Sequence, residues 1–149
     1  MKKDGSDIRV HLADRRFSKE IKGLNIPEFA RDEAYRLTVG KKGIDIFALT
    51  ETGVYRARTS LGMMLDRDST LSHCEILDYP RFRHRGLMLD ISRNFRDKDF
   101  ILKQLDAMAA VKMSTLHLHL TDDAGWRIQI DAYPELTRKA AWRVGKTYE

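Results

Sequence analysis

Polar and aromatic side chains that follow two apolar segments are the residues of this chain best suited to chemistry. The first segment, Gly86–Ile91, is followed by Arg93, and the second, Thr115–Leu120, is followed by three such residues, Asp122, Asp123 and Trp126. A guanidinium can donate paired hydrogen bonds to vicinal hydroxyls or to a carboxylate, and an indole ring can stack on an apolar face. The sequence therefore indicates a site for a polar ligand that has an apolar face.

Each of these residues also has a purely structural interpretation. Arg93 could form a surface ion pair beside a helix, and Trp126 could fill a core. Neighbouring side chains diverge, so Asp122 and Asp123 cannot act as one facing acid–base pair. One of them could point into a site while the other caps the following turn through backbone N–H groups. The residues alone leave both interpretations open.

Two histidines, His117 and His119, share one face of the second segment, because strand side chains repeat every two residues. With a nearby carboxylate they would suit a divalent metal, and a metal-dependent hydrolase is one alternative function. No third or fourth ligand is recognisable from the spacing. The sequence favours two histidines held in a buried hydrogen-bond network and predicts no metal.

The first half of the chain reads as a small α+β layer. Ile8–Leu12 alternates like a strand, and Tyr35–Val39 and Ile44–Leu49 flank a glycine-rich turn, which predicts an antiparallel hairpin. Helical spacing follows from Gly53 to Asp66, and a short strand is expected around Ile76. This order predicts a small α+β layer with one helix covering a sheet.

The second half has a different pattern. Gly86–Ile91 hardly alternates, which predicts a strand buried on both faces. A helix over Asp97–Lys112 and a strand over Thr115–Leu120 follow, and strand–helix–strand predicts parallel pairing through a right-handed crossover. A further strand is expected over Arg127–Ile130, with a helical turn after Pro134.

Composition and charge narrow the class of protein. The chain has 149 residues, 42% of them hydrophobic, and a net charge of +5, which fit a globular domain. Acidic and basic residues are interleaved, so we predict no nucleic-acid partner, and the acidic pair Asp32–Glu33 is expected to be solvated. One cysteine, Cys74, excludes an intramolecular disulfide. No apolar stretch has the length of a membrane span or of a signal-peptide core, which predicts no membrane partner and leaves the compartment undefined.

The two segments, read with their flanks, resemble a known family. Arg85-Gly86-Leu87-Met88-Leu89-Asp90-Ile91-Ser92-Arg93 and Leu116-His117-Leu118-His119-Leu120-Thr121-Asp122-Asp123-x-Gly125-Trp126-Arg127 are similar to motifs of the family 20 glycoside hydrolases, the β-N-acetylhexosaminidases. Upstream, Ala34–Val39 and Gly53-Val54-Tyr55 resemble the small domain that precedes their catalytic barrel.

The resemblance implies a fold and a reaction. Residues 1–79 would form a small α+β domain, and residues 80–149 would begin a (β/α)₈ TIM barrel. Family members remove terminal N-acetylglucosamine or N-acetylgalactosamine from glycans with retention of configuration, and the substrate's own acetamido oxygen is the nucleophile. By position, Arg93 and Asp122 would bind substrate, Asp123 and Trp126 would support them, and no cofactor is expected.

The family's catalytic Asp-Glu pair has no counterpart in this sequence. We therefore expect the chain to be the amino-terminal portion of a longer hexosaminidase, with no catalytic residue and no activity of its own. Its second barrel strand would leave an open edge through which oligomers could form. A non-catalytic carbohydrate-binding or scaffold module is the other alternative function.

Overall fold

The computed structural model describes residues 8–65 and 71–142 of the chain. The chain forms two compact units that divide between Arg83 and His84. Within the described residues, no helix combines the length and the apolar character needed to cross a membrane.

A four-stranded sheet forms the centre of the amino-terminal unit. Its strands are β1 (Ile8–Leu12), β2 (Tyr35–Gly40), β3 (Gly43–Ala48) and β4 (Cys74–Asp78), in the spatial order β1-β3-β2-β4. β2 pairs antiparallel with β3 and β4, whereas β1 pairs parallel with β3. Gly43 has a φ of 123° at the turn between β2 and β3, where an L side chain would be strained. The predicted hairpin is confirmed.

One face of this sheet is covered by helix α3 (Glu51–Met64). The Thr50 side chain caps it by accepting a hydrogen bond from the backbone N–H of Gly53 at 3.2 Å. The apolar face of the helix, which includes Val54, Ala57 and Leu61, packs against β2 and β3 in a single buried cluster. The predicted helix is therefore present, although its expected end at Asp66 lies outside the described residues.

The opposite face of the sheet is also covered, so the expectation of a single covering helix is wrong. Helices α1 (Arg15–Gly23) and α2 (Glu28–Arg31) contribute Phe17, Ile21 and Ala30 to a second buried cluster. Phe47 and Leu77 from the sheet pack against it. These residues alternate along their strands with those of the first cluster, which places them on the other face.

The acidic pair at Asp32–Glu33 is not simply solvated. Glu33 accepts a hydrogen bond at 2.7 Å from Arg56 of α3, whose residue exposure is only 8%. A buried guanidinium needs a charged partner. Glu33 therefore has a structural role that its sequence context does not indicate.

The carboxyl-terminal unit begins with a parallel pair of strands. β5 (Gly86–Asp90) pairs in register with β6 (Thr115–His119), and helix α4 (Lys98–Ala110) lies between them in the chain. Asp97 caps α4 by accepting a hydrogen bond from the N–H of Phe100 at 2.8 Å. The predicted strand–helix–strand order and the parallel pairing are confirmed.

Two predictions for this unit are wrong. Met88 of β5 is 54% exposed, so the strand is not buried on both faces: nothing among the described residues covers the side from which Met88 projects. Residues 127–130 are not a strand. The chain instead forms a short hairpin from β7 (Thr121–Asp122) and β8 (Gly125–Trp126), followed by α5 (Glu135–Ala140).

Side-chain hydrogen bonds hold the segment Arg127–Ile130. The Arg127 guanidinium donates to the carbonyl oxygens of Ile91 at 3.1 Å and Ser92 at 3.0 Å. The indole N–H of Trp126 donates to the carbonyl of Ile128 at 2.7 Å. The first two bonds tie Arg127 to the loop that follows β5, and the third joins the Trp126 side chain to the backbone at Ile128.

Candidate functional site

Arg93 lies at the carboxyl ends of the parallel strands, between two carboxylates. Its Nη2 atom is 2.6 Å from Oδ2 of Asp122, and its Nη1 atom donates to Oδ2 of Asp90 at 2.8 Å. The Arg93 side chain is 57% exposed. The parallel pairing brings Arg93 and Asp122 to the same edge of the sheet, as the sequence predicts.

Asp90, the last residue of β5, sets the local conformation that presents Arg93. Its Oδ1 atom accepts a hydrogen bond from the backbone N–H of Arg93 at 3.0 Å. That backbone N–H, with the Arg93 guanidinium, lowers the pKa of the Asp90 carboxyl. The sequence alone indicates no role for Asp90, although it shows that the residue lies at the end of the strand.

Asp122 both faces the candidate site and caps the turn that follows it. The sequence suggests that Asp122 and Asp123 would each take one of these two functions. Its Oδ1 atom accepts from the backbone N–H of Asp123 at 2.7 Å, and its Oδ2 atom faces Arg93. The Asp123 backbone N–H is the largest cause that lowers the pKa of Asp122, and the Arg93 charge lowers it further. Asp123 itself is exposed.

The two histidines of β6 have different surroundings. His119 is partly buried, with Nε2 at 3.0 Å from the Thr121 carbonyl and 3.2 Å from Asp122 Oδ2, and with Nδ1 at 3.5 Å from Asp90 Oδ2. His117 is exposed, so the expected buried network does not include it. Among residues 8–65 and 71–142, no three His, Cys, Asp or Glu side chains are grouped as a metal would require.

Trp126 lines an open, mainly apolar cavity beside the hairpin. The cavity has a volume of about 450 Å³, and its other walls include Phe95, Arg127 and Trp142. The Arg127 guanidinium also lies over the Phe95 ring, 5.4 Å from its centroid. Trp126 therefore stands on an accessible surface and is not enclosed in a core.

The loops that carry Arg93 and Asp122 are joined by buried polar contacts. The Ser92 side chain is fully buried, and its hydroxyl donates to the carbonyl of Gly125 at 2.6 Å. Arg127 adds its bonds to Ile91 and Ser92 and a further one to the carbonyl of Ala141. Neither Ser92 nor Arg127 is indicated by the sequence alone, because these contacts depend on the geometry of the folded loops.

The arrangement is suited to binding hydroxyl groups. An exposed guanidinium held between carboxylates offers donors beside acceptors, which is the pattern that vicinal hydroxyls match. The lowered pKa values of Asp90 and Asp122 keep both carboxyls ionised at neutral pH. A general acid needs the opposite shift, so neither of these two carboxyls suits that role.

Comparison with known proteins gives the family. The model of domain 2 of glycosyl hydrolase family 20 matches residues 3–79, and the model of its catalytic domain matches residues 82–149. The chain belongs to glycosyl hydrolase family 20. Its mixed α/β architecture is also that of solved structures of this family.

Relatives of this family 20 chain are known in bacteria and mammals. The N,N'-diacetylchitobiase of Vibrio harveyi is 45% identical over 124 residues, which are 82% of this chain and 14% of that protein. The β-hexosaminidase subunit beta of Homo sapiens is 34% identical over 82% of this chain and 23% of its own length. The chain thus spans less than a quarter of either relative.

Solved structures of the family superpose on most of the chain. A β-N-acetylhexosaminidase from Bacteroides fragilis gives a TM-score of 0.76 at 32% identity, covering 93% of this chain and 26% of that one. An exo β-N-acetylglucosaminidase from Vibrio harveyi, in complex with N-acetylglucosamine, gives 0.74 at 33% identity, covering 91% and 20%.

Proposed function

We propose that this chain is part of a β-N-acetylhexosaminidase that hydrolyses terminal N-acetylglucosamine or N-acetylgalactosamine residues of glycans. Support comes from the names of its relatives, a chitobiase and β-hexosaminidases. Residues 1–79 would be the small α+β domain, and residues 80–149 would begin the TIM barrel, in which β5 and β6 are the first two strands. Association through the outer edge of β6 stays a prediction.

Within this function, Arg93 and Asp122 would bind the hydroxyl groups of the terminal sugar. The observation that carries this proposal is the 2.6 Å contact between Arg93 Nη2 and Asp122 Oδ2, which holds an exposed cation in a fixed direction. A guanidinium fixed in this way loses little side-chain freedom when it binds. Asp123 and Trp126 would support the site from the hairpin.

The ionised state of Asp90 and Asp122 supports a binding role for this cluster, with the acid step left to other residues. Retaining, substrate-assisted hydrolysis needs a protonated carboxylic acid beside the leaving group and a carboxylate that orients the acetamido group. We propose that the whole protein supplies both from residues outside this chain. The chain alone would then bind sugar without hydrolysing a nitrophenyl N-acetylglucosaminide.

Titration with N-acetylglucosamine tests the binding role. We expect Arg93→Ala to weaken binding by about tenfold or more, the order expected for hydrogen bonds from a charged group. Arg96→Ala is the matched control, because Arg96 is exposed in the same loop and stacks on Phe100. Equal affinities of these two variants, or no binding by the unchanged chain, would contradict the proposal.

A further inference from the structure

His119 is placed between the two carboxylates that hold Arg93. Its Nε2 atom is 3.2 Å from Oδ2 of Asp122, and its Nδ1 atom is 3.5 Å from Oδ2 of Asp90. These same two oxygens contact the Arg93 guanidinium, at 2.6 Å and 2.8 Å respectively. The imidazole and the guanidinium therefore share their acceptors.

The surroundings of the ring decide which nitrogen carries the proton. Nε2 faces two acceptors, the Thr121 carbonyl oxygen at 3.0 Å and Asp122 Oδ2. Neither can donate, since a carbonyl and an ionised carboxylate only accept. Nδ1 also faces an acceptor, Asp90 Oδ2, but at the longer distance of 3.5 Å. Because the acceptors of Nε2 are closer, we assign the proton of the neutral ring to Nε2. Its N–H bridges the backbone at Thr121 and the side chain of Asp122.

We propose that His119 is a positioning residue for the sugar site: its Nε2–H fixes the Asp122 carboxylate in the direction that holds Arg93. The inference rests on the proposed sugar-binding function, which it deepens by adding a residue that acts through Asp122. The register supports it, since His119 pairs directly with Asp90 across the parallel strands. This pairing places the ring within 3.5 Å of Asp90 Oδ2, while its other nitrogen lies 3.2 Å from Asp122 Oδ2.

Three substitutions at His119 separate the contributions of the two ring nitrogens. A glutamine places its amide nitrogen near the position of Nε2, so His119→Gln keeps a donor for Asp122. An asparagine places it near Nδ1, and phenylalanine fills the space with no donor. His117→Gln is the matched control, because His117 lies on the same face of β6 but is exposed.

The first measurement needs no sugar. Nitrogen NMR of the chain at about pH 8, where histidine side chains are ordinarily neutral, reports which ring nitrogen of His119 is protonated. We expect the Nε2–H tautomer. We also expect the Arg93 guanidinium signal to shift in His119→Phe and His119→Asn and to stay near its original position in His119→Gln and His117→Gln. An Nδ1–H tautomer, or an Arg93 signal unchanged in all four variants, would overturn the inference.

The second measurement is the affinity for N-acetylglucosamine. Loss of one positioning hydrogen bond predicts binding about fivefold weaker in His119→Phe and His119→Asn, with rescue by His119→Gln. If the unchanged chain binds sugar and His119→Phe binds equally well, the inference fails while the proposed function stands.

If the unchanged chain does not bind, the proposed function fails, and the NMR result still decides whether His119 positions Asp122. Should His119→Phe not fold, the tautomer and the His119→Gln comparison remain decisive.

Discussion

The Arg93 guanidinium lies 2.6 Å from the Asp122 carboxylate, although Arg93 follows β5 and Asp122 lies in the hairpin that follows β6. Parallel pairing of β5 with β6 brings both loops to one edge of the sheet. The Arg93 side chain of this ion pair is exposed, and exposed ion pairs add little stability. The contact instead fixes the direction in which the guanidinium points. The pair is the structural basis of the sugar site that we propose.

The acid titration of Asp122 should report this ion pair. Its pKa is lowered first by the Asp123 backbone N–H and then by Arg93, so the contact should persist below the ordinary pKa of an aspartate and be lost only on further acidification. In Arg93→Ala we expect the midpoint, measured by carboxyl carbon NMR, to rise only in part, because the backbone contact remains. A midpoint that is insensitive to Arg93 would contradict the observed contact.

Two glycines of α3 should respond to alanine in opposite directions. A Cβ at Gly53 would lie 2.7 Å from the Ala34 carbonyl oxygen and 3.0 Å from the Ala48 Cβ atom. Gly53→Ala should therefore lower the free energy of unfolding by about 1–3 kcal/mol. Gly62 meets nothing within 4 Å, so Gly62→Ala should raise it by about 0.5–1 kcal/mol. Denaturant unfolding followed by far-ultraviolet circular dichroism measures both, and effects of equal sign would refute the packing described for α3.

The Ser92 hydroxyl should contribute to the stability of the carboxyl-terminal unit. Ser92→Ala leaves the Gly125 carbonyl without its 2.6 Å partner, at a cost of about 1–3 kcal/mol. Ser114→Ala is the control, because Ser114 is exposed and its hydroxyl is 3.5 Å from the Arg85 carbonyl. Both tryptophans lie in this unit, so fluorescence during denaturation follows it. A cost for Ser92→Ala no larger than that of the control would refute the bridging role.

Asp45 gives the amino-terminal unit a defined response to acid. The side-chain hydrogen bond from Arg9 is the largest cause that lowers its pKa from 3.8 to about 2, and His11 adds to it. This lowered pKa stabilises the folded state. The stabilisation is fully present above pH 3.8, the pKa of Asp45 in the unfolded chain, and is lost as the pH falls towards about 2. Arg9→Ala should raise the Asp45 midpoint in carboxyl carbon NMR, whereas Arg15→Ala, at an exposed position of α1, should not. A midpoint unchanged by Arg9→Ala would exclude this cause.

Sequence reasoning succeeded where one local pattern dominates. Alternation and a glycine-rich turn predict the β2–β3 hairpin, and Asp97 at the start of an apolar-periodic segment predicts α4. It failed at α1, because Phe17 and Ile21 are its only buried residues within a charged segment. Their i, i+4 spacing after the capping residue Asp14 was the available signal.

The candidate site was predictable only in part. Arg93 and Asp122 follow apolar strands, so their meeting at one edge could be expected from parallel pairing. The roles of Ser92, Arg127 and His119 depend on which backbone carbonyls lie within reach after the loops have folded. Such contacts carry no periodic signal in the sequence.

The most direct test of the account is to map N-acetylglucosamine binding onto the backbone amides of this chain by NMR. We predict that the largest shifts occur in Asp90–Arg93 and His119–Trp126, at the carboxyl ends of the parallel strands, and that Arg93→Ala strongly reduces them at the same sugar concentration. Shifts confined to the amino-terminal sheet, or shifts that survive Arg93→Ala unchanged, would contradict it.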